Sequence, residues 1–593
     1  MRLSSFLLQA SVTVSFALSQ AISEQGKDSQ SFPRNDAGQP HPAEYGETSC
    51  KLQAAYPGHC GADYDYTEYT SDQEQRANAV IEMFRFAWDG YYQYAYPHDD
   101  LLPVNNSHSD SRNGWGLLMI DALDTAIIME QQDIVNIILK FVPTIDFTKN
   151  NAKGEYDAKT TSLFETNIRY LGGLLSSYDL LKGPFSHMAS NDQDVDVLLR
   201  QATVLADTLK FAFDTPTGIP VNIVYIDNQT FSNSSRMTDG VYTAGLAELG
   251  TLVLEWQHLS DLTGDPSYGH LAQRAESHWF QSKEIWPGLT GGNFSVSTGE
   301  ILDSYGGWTS GNDSAYEYLI KMYVYDPARY QNYSLRWQEA ADSTIEHLLG
   351  HPSSRPDLTM AGSFVGQEKQ NYSEQLAGGN FLLASSALNH SSPSDAVNQT
   401  KLESYKTYGL LFSEFCANGY RYANSGIGPT FYSWNTTLLD THKEYRNQTS
   451  LYSHAGWFIP VEEYEDFSDG QCPEAVESWY YAYQTTQDPY WRDVAWSYTL
   501  AQNRTEKIIH QQNSNNDGGA GGFSFVNNVL SFTGDGTQNF MASYLLAEVF
   551  KYQYLIQTPK KGVWDVMGGE DGRNPFVFNT EAHPFRVAAR DPV

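Results

Sequence analysis

The stretch EQRANAVIEMFRFAWDGYYQYAY, residues 74–96, sets the pattern for most of the chain. Its apolar residues recur at steps of three and four, the period of a helix with one buried face. That face is expected to carry Ala79, Ile81, Met83, Phe84, Ala87, Trp88 and Tyr91. Comparable patterns follow over 114–130, 163–181, 196–213, 244–263, 314–325, 335–349, 474–486 and 539–556, whereas strand-like runs such as 221–226 and 523–529 are short. The sequence therefore predicts an all-α fold.

Three Asp-Pro pairs punctuate the helical stretches, at Asp265-Pro266, Asp326-Pro327 and Asp488-Pro489. Each follows one helical pattern and opens another. An Asp can cap a helix, and Pro suits the first helical position because its missing N–H has no partner to lose there. Many helices joined in this way without a fixed repeat favour one helical toroid over a solenoid. We predict a toroid with short β hairpins.

The composition excludes several classes of protein. The chain has 593 residues, with 37 Lys and Arg against 71 Asp and Glu, a formal charge of −34 and a pI near 4.7. Such a charge argues against nucleic acid or an anionic membrane surface as partner. A hydrophobic content of 41% is enough for a large core. Four cysteines without a CxxC pair indicate neither a disulfide scaffold nor structural zinc.

The first residues resemble a targeting segment. Arg2, the mostly apolar stretch 6–18 and small residues at 19 and 21 are typical of a signal peptide over 1–21. The polar residues 22–73 are expected to form a disordered leader with a short Cys50/Cys60 segment. One helical domain is predicted over 74–587 and a tail over 588–593.

Secretion is the expected destination. No later stretch reaches the roughly 18–20 apolar residues of a membrane span. Asn-x-Ser/Thr sequons recur along the chain, for example at Asn105 and Asn332, and no KDEL-type signal ends it. In an oxidising compartment Cys50–Cys60 and Cys416–Cys472 are possible disulfides.

A few acidic residues stand inside apolar, aromatic segments, where an ionised group is costly unless it is paired or used. Glu165 has Arg169 four residues later on the same helical face, which an ordinary ion pair would also explain. Asp313 follows Asn312 in a segment that also suits a helix cap. Glu474 follows Pro473, and a first-turn Glu next to the helix dipole is a simpler explanation.

A second acidic group, Glu477, lies one turn after Glu474, and the segment FVFNTEAHP over 576–584 brings Thr580, Glu581 and His583 together. Oxygen ligands of this kind suit a hard cation such as calcium. No GxSxG, P-loop or GxGxxG pattern is present. Aromatic residues beside carboxylates instead favour sugars, which stack on aromatic rings and need acid–base help for cleavage.

Taken together, these segments resemble glycoside hydrolase family 47, the class I α-1,2-mannosidases, and in particular its secreted fungal branch. The resemblance covers residues 74–587. It is carried by the stretches Ala87-Trp88-Asp89-Gly90-Tyr91, His98-Asp99-Asp100-Leu101, Asn113-Gly114-Trp115-Gly116, Asp121-Ala122-Leu123-Asp124-Thr125, Phe164-Glu165-Thr166-Asn167-Ile168-Arg169, Ala247-Glu248-Leu249-Gly250, Asp313-Ser314, Pro473-Glu474, Ala547-Glu548 and Asn579-Thr580-Glu581-Ala582-His583-Pro584.

The resemblance implies an (αα)7 barrel, a Ca²⁺ ion held by Thr580, and hydrolysis with inversion. It implies Glu165 as general acid, Glu474 as general base and Asp313 as a third catalytic carboxylate. We place the substrate-binding residues at Arg169, Glu477, Tyr544, Glu548 and Glu581. The expected partner is a mannose-containing oligosaccharide or glycoprotein, and the expected state is a monomer.

The chain departs from the family pattern at four positions. Cys472 replaces an Arg, Gln375 a His, Ala542 a Glu and Thr430 a Glu. The lost guanidinium at 472 would otherwise clamp a sugar or order the base. Two alternatives to an α-1,2-mannosidase therefore stay open: a mannose-binding relative without catalysis, and a mannosidase of altered linkage preference.

Overall fold

The structure is a computed structural model that describes residues 73–154, 158–189, 191–235, 240–373, 378–389, 397–435, 448–460, 473–510, 521–559 and 574–588. The predicted signal peptide, leader and Cys50/Cys60 segment lie outside these ranges, as do Gln375 and Cys472. None of the helices within the ranges combines the length and the apolar character that a membrane span requires.

Helices dominate the described part of the chain, as predicted. The α-helices are Gln73–Tyr94, Leu117–Ile128, Gln132–Phe141, Leu163–Glu165, Gly172–Lys182, Asp192–Leu209, Leu246–Gly250, Val253–Thr263, Ser267–Phe280, Asp313–Tyr325, Gln331–Ser343, Gly378–Asn389, Gln399–Tyr422, Thr449–Ala455, Pro473–Thr486, Pro489–Thr505 and Phe550–Gln557. Three π-helical segments add Thr166–Leu171, Thr344–Leu348 and Leu545–Val549. Short 3-10 turns are Val142–Thr144, Ser186–Met188, Lys210–Phe213 and Asn233–Ser235.

The strands form small antiparallel ladders. They pair Asp100–Leu102 with Ser107–Ser109, Thr243–Gly245 with Asn293–Ser295, Leu349–Gly350 with Met360–Ala361, Tyr372–Ser373 with Tyr432–Ser433, Lys507–Ile509 with Gly521–Phe523, and Phe576–Phe578 with Pro584–Arg586. Two ladders have three strands: Thr161–Ser162, Ile223–Tyr225 and Thr230–Phe231, and Tyr305–Gly306, Ser363–Val365 and Glu368–Gln370. The predicted strand over 523–529 is therefore wrong beyond Phe523.

The helices form the two concentric rings of an (αα)7 barrel. Seven inner segments within the described ranges contact one another in sequence: 117–128, 166–182, 246–263, 313–325, 378–389, 473–486 and 545–557. Helix Gln73–Tyr94 belongs to the outer ring and packs against Phe550–Gln557, near the other end of the chain. Every residue of Leu117–Ile128 is buried, as expected for an inner helix surrounded by neighbours.

The first helix confirms the predicted period but corrects its face. Its buried residues include Ala77, Val80 and Tyr91, whereas Ala79 and Ile81 are only partly buried. At the start of the helix, the buried face is therefore formed by Ala77 and Val80 and not by the predicted Ala79 and Ile81. Helix Gln399–Tyr422, the longest in the described chain, was not predicted. Its mixture of Lys, Glu, Gly and aromatic residues hides the period that burial against Gly378–Asn389 requires.

The Asp-Pro prediction holds fully at Asp488 and in part at Asp265, whose carboxylate accepts the N–H of Ser267, the first residue of Ser267–Phe280, although Pro266 precedes that helix. Asp488 caps Pro489–Thr505 by accepting a hydrogen bond from the backbone N–H of Tyr490. At Asp326 the carboxylate binds the backbone N–H groups of Ala328 and Arg329, but the next helix begins only at 331. There the Asp closes a turn and does not cap a helix.

Candidate active site

Three predicted catalytic carboxyl groups stand in the first turns of inner-ring helices. Glu165 lies in Leu163–Glu165, Asp313 begins Asp313–Tyr325, and Glu474 is the second residue of Pro473–Thr486. All three are partly exposed. The positive end of each helix dipole faces these carboxyl groups, a placement that favours negative charge. The ring thus directs three acidic first turns toward one end of the barrel.

Glu165 is held between two guanidinium groups. Arg169 Nε donates to Glu165 Oε2 at 2.7 Å, and Arg112 Nη2 lies 3.0 Å from Oε1. Ser162 caps the turn by accepting a hydrogen bond from the N–H of Glu165. Burial alone would raise the pKa of Glu165, but Arg112 and Arg169 outweigh it and hold that pKa at about 2. Glu165 is therefore ionised in this site.

Arg169 joins Glu165 to the C-terminal part of the chain. Its Nη1 donates to Glu581 Oε2 at 2.8 Å and lies 3.8 Å from Asp121. Its guanidinium also stands 5.5 Å from the ring centre of Tyr544. The π-helical turn Thr166–Leu171 carries this Arg, and such turns are frequent at functional sites. The predicted residues Arg169, Tyr544 and Glu581 are thus brought into contact with Glu165 or with each other.

Asp313 and Glu474 have the opposite electrostatic character. Burial raises the pKa of Asp313 to about 7, and the charge of Glu317 adds to the effect. Burial raises the pKa of Glu474 well above its usual range, with Asp313, Glu477 and Glu317 contributing. These contributions require the carboxyl groups to be near one another. The site therefore combines one carboxyl group of lowered pKa, Glu165, with carboxyl groups whose pKa is raised.

Glu548 and Glu477 complete the acidic wall. Burial raises the pKa of Glu548 well above its usual range, and the charges of Glu581 and Glu474 act in the same direction. Burial also raises the pKa of Glu477 to about 7, although Lys321 opposes it. Tyr552 Oη donates to Glu477 at 3.2 Å. All the predicted substrate-binding residues therefore lie in one connected group.

Sequence reasoning missed three charged members of this group, Arg112, Glu317 and Lys321. Lys321 Nζ pairs with Glu317, lies 3.8 Å from Glu477 and donates to the carbonyl oxygen of Asn579 at 3.0 Å. Burial would lower the pKa of Lys321, but these carboxylates raise it overall. Positions 313, 317 and 321 share a helical face at steps of four, a signal that was available in the sequence.

The hairpin Phe576–Phe578/Pro584–Arg586 contacts both Asp313–Tyr325 and Gly172–Lys182, which places it inside the ring. Its turn is organised by Asn579, whose Oδ1 accepts the N–H groups of Glu581 and His583. A Cβ on Gly172 would come within 2.6 Å of the Asn579 side chain. Only glycine leaves room for the turn at this point of the inner helix.

Thr580 is the predicted calcium ligand on that turn. Its hydroxyl donates to Glu317 Oε2 at 2.9 Å. In the described ranges no group of three or more His, Cys, Asp or Glu side chains has a metal-binding arrangement. The Thr580 hydroxyl and the carboxylate of Glu317 are oxygen ligands of the kind that a hard cation prefers, which fits a cation bound by Thr580 and water rather than a carboxylate cage.

A buried charge network supports the turn from beneath. Lys551 Nζ donates to the carbonyl oxygen of Ala582 at 2.6 Å and pairs with Asp124 at 2.9 Å. His583 Nδ1 lies 2.7 Å from Asp124 Oδ2, and Nε2 lies 3.4 Å from Asp121. Burial would lower the pKa of His583, but the two carboxylates raise it to about 9. Two cations and two anions thus compensate each other in the core.

Two of the four departures from the family pattern lie within the described ranges. Ala542 is buried and Thr430 is partly buried. The proposed Cys416–Cys472 pair involves a residue outside the description, while Cys416 itself is buried in Gln399–Tyr422.

Comparisons with known proteins identify the family of the chain. The sequence model described as glycosyl hydrolase family 47 matches residues 83–587. Mannosyl-oligosaccharide alpha-1,2-mannosidase 1B of Aspergillus phoenicis is 44% identical over 544 residues, which cover 90% of this chain and 96% of the relative. The mannosyl-oligosaccharide alpha-1,2-mannosidase of Penicillium citrinum is 42% identical over 555 residues, covering 92% and 96%. The solved alpha-1,2-mannosidase from Trichoderma reesei is 42% identical, with a TM-score of 0.77, and the match covers 87% of this chain and 100% of that one.

Proposed function

Because the chain belongs to glycosyl hydrolase family 47, we propose that it removes terminal α-1,2-linked mannose from oligosaccharides or glycoproteins by calcium-dependent, inverting hydrolysis. The observation that supports the proposal is a chain of neighbouring carboxyl groups that links Glu165 through Glu581 and Glu548 to Glu474 and Asp313, with the pKa of Glu165 lowered and those of the others raised. We propose that it acts as a secreted monomer.

Inversion needs one carboxyl group that gives a proton to the leaving oxygen and another that takes one from water. With a pKa of about 7, Asp313 is suited to the first role near neutral pH. Glu165 is not, because its two arginines keep it ionised. We therefore assign the donor role to Asp313 in place of Glu165, and keep Glu474 as the base.

The ionised Glu165 has a different use in this scheme. The transition state of glycoside hydrolysis carries positive charge on the sugar ring. A fixed carboxylate at the pocket wall stabilises that charge without having to reorganise. Glu477, Glu548 and Glu581, with Arg169 and Lys321 between them, supply acceptors and donors for the hydroxyl groups of the sugar.

A calcium ion would be held by Thr580 and would supply a positive charge that orients sugar hydroxyls and favours the ionised forms of nearby carboxyl groups. Around it, Lys321 fixes the carbonyl oxygen of Asn579, and Glu317 binds the Thr580 hydroxyl. These contacts hold the turn in place. Burial and neighbouring carboxyl groups raise the pKa of Glu474, and a base must be ionised. Nearby positive charge must therefore lower this pKa before Glu474 can act as the base.

Release of mannose from α-1,2-, α-1,3- and α-1,6-linked mannobioses tests the proposal. We expect the α-1,2 compound to be preferred at least about tenfold in kcat/KM, with β-mannose as the first product in NMR spectra. Binding of a high-mannose glycan without turnover would instead support a non-catalytic relative. Preference for another linkage would support altered specificity, for which Thr430 and Ala542 would be the first residues to examine.

Removal of calcium tests the cation separately. After chelation and dialysis, adding Ca²⁺ at about 100 times its Kd is expected to stabilise the protein by roughly 2.7 kcal/mol, since the ion binds only the folded chain. The shift in Tm is measured together with activity. Thr580→Val should lose both responses, while Thr537→Val outside the site should keep them. A protein that responds equally to Mg²⁺ and Ca²⁺, or to neither, would contradict the assignment.

A further inference from the structure

Arg112 reaches Glu165 from a part of the chain unrelated to the helix of Glu165. Its Nη2 lies 3.0 Å from Glu165 Oε1, while Arg169 binds Oε2. Arg169 is four residues away and divides its guanidinium between Glu165 and Glu581. Arg112 lies 53 residues earlier in the chain, and its side chain is 14% exposed. The two carboxylate oxygens are thus fixed by groups from two separate elements.

Asp99 fixes the backbone from which Arg112 projects. Its side chain is fully buried and accepts hydrogen bonds at 2.8 to 3.0 Å from five backbone N–H groups, those of Arg112, Gly114, Trp115, Gly116 and Leu117. These bonds run from the loop into the first turn of Leu117–Ile128. One carboxylate therefore ties the segment 112–117 to a single conformation.

Tyr170 secures the same segment from the opposite side. Its hydroxyl lies 3.0 Å from Asp99 Oδ1 and 3.1 Å from the carbonyl oxygen of Arg112, and it donates to these acceptors. Its ring packs edge-on against Trp115 and Phe147. Tyr170 belongs to the same π-helical turn as Arg169. The turn that follows Glu165 thus also holds the loop that returns to bind Glu165.

We propose that Arg112 is a positioning residue for the glycosidic reaction, fixing the carboxylate of Glu165 at the pocket wall, and that Asp99 and Tyr170 hold Arg112 in place for this task. The inference rests on the proposed function. Other charged groups also face Glu165: Arg169 from its own turn, Glu581 from the hairpin and Asp121 behind Arg169. Beyond the turn, Glu248 binds Asn222, which accepts the N–H of Phe164.

The pH dependence of kcat/KM for α-1,2-mannobiose separates positioning from general damage. In Arg112→Met, Glu165 takes up a proton at a higher pH, so the acidic limb of the profile should move upward by at least about one pH unit. Because the pKa of Glu165 is about 2 in the parent, the loss relative to the parent should grow only as the pH falls toward 3 and below, and it should be less than threefold at pH 7. Arg112→Lys keeps the positive charge but not the forked geometry of the guanidinium. Its pH profile should therefore lie between those of the parent and Arg112→Met.

Arg329→Met is the matched control, because Arg329, like Arg112, is paired with carboxylate groups, here those of Asp261 and Asp326 outside the site. Its profile should coincide with that of the parent. An equal loss for Arg112→Met at every pH would assign Arg112 a merely structural role and overturn the proposal, as would an unchanged profile. If Arg112→Met does not fold, Tyr170→Phe is the variant that tests the proposal. It should shift the acidic limb of the kcat/KM profile in the same direction by a smaller amount.

Unfolding separates this inference from the proposed function. A carboxyl group whose pKa is lowered in the folded state contributes stability above its unfolded pKa, and this is lost as the pH falls. The difference in Tm between parent and Arg112→Met should therefore be smaller at pH 3 than at pH 7. A parent that releases no mannose from any substrate contradicts the proposed function, and the Tm comparison then decides whether Arg112 and Glu165 are coupled. Equal differences at both pH values would overturn the coupling.

Discussion

Asp313→Asn is expected to lower kcat for mannose release at least about a hundredfold, the usual effect of removing an acid–base group. The asparagine has the same shape but carries no proton that it can transfer. Glu474→Gln should lower kcat by a comparable factor, because no general base then takes a proton from the attacking water. Glu276→Gln is the control, since Glu276 is a buried carboxyl group with a pKa of about 8 on an outer helix. It should retain activity within about twofold.

A substrate whose leaving group needs no proton identifies the acid. With α-mannosyl fluoride, Asp313→Asn should recover most of the parent rate, measured as fluoride release. Glu474→Gln should remain inactive because its defect lies in water activation. If Glu165→Gln is the variant that recovers, Glu165 is the acid, as the family resemblance implies, and the assignment of Asp313 is wrong. This outcome would also mean that substrate binding raises the pKa of Glu165 far above 2.

Lys551→Met is expected to destabilise the protein by about 3–5 kcal/mol, the range for breaking a buried ion pair by removing one partner. Both Lys551 and Asp124 are fully buried, so the variant leaves an anion that shares a single His583 with Asp121. The carbonyl oxygen of Ala582 loses its donor as well. Because that carbonyl belongs to the Thr580 turn, calcium affinity should fall with stability. Urea unfolding and calcium titration measure the two effects.

Lys401→Met provides the comparison for an exposed pair. Lys401 lies 2.7 Å from Asp342, both partly exposed, and its loss should cost less than about 1 kcal/mol. Adding Asp124→Asn to Lys551→Met should recover part of the stability, since no buried charge is then left unpaired. If Lys551→Met is as mild as Lys401→Met, the buried network does not support the turn.

The sequence determined much of what depends on neighbours along one helix. The helical period, the Asp488 cap and the spacing of Glu165 and Arg169 are all local, and each appears in the structure. The order of short motifs also indicated the family. Helix Gln399–Tyr422 was missed because polar residues interrupt its apolar period. Burial against another helix stabilises it where the helix propensity of its residues is low.

Only the tertiary structure decided the charge states of the site and the identity of its partners. Arg169 and Glu581 are separated by 412 residues, and Lys551 and Asp124 by 427, yet each pair is in direct contact. Arg112 was missed for the same reason, since nothing near it in the chain points to Glu165. Whether a carboxyl group keeps its proton depends on how deeply it is buried and which charges surround it. The depth of burial and the surrounding charges both depend on how the helices close into a ring, and no local sequence pattern indicates this.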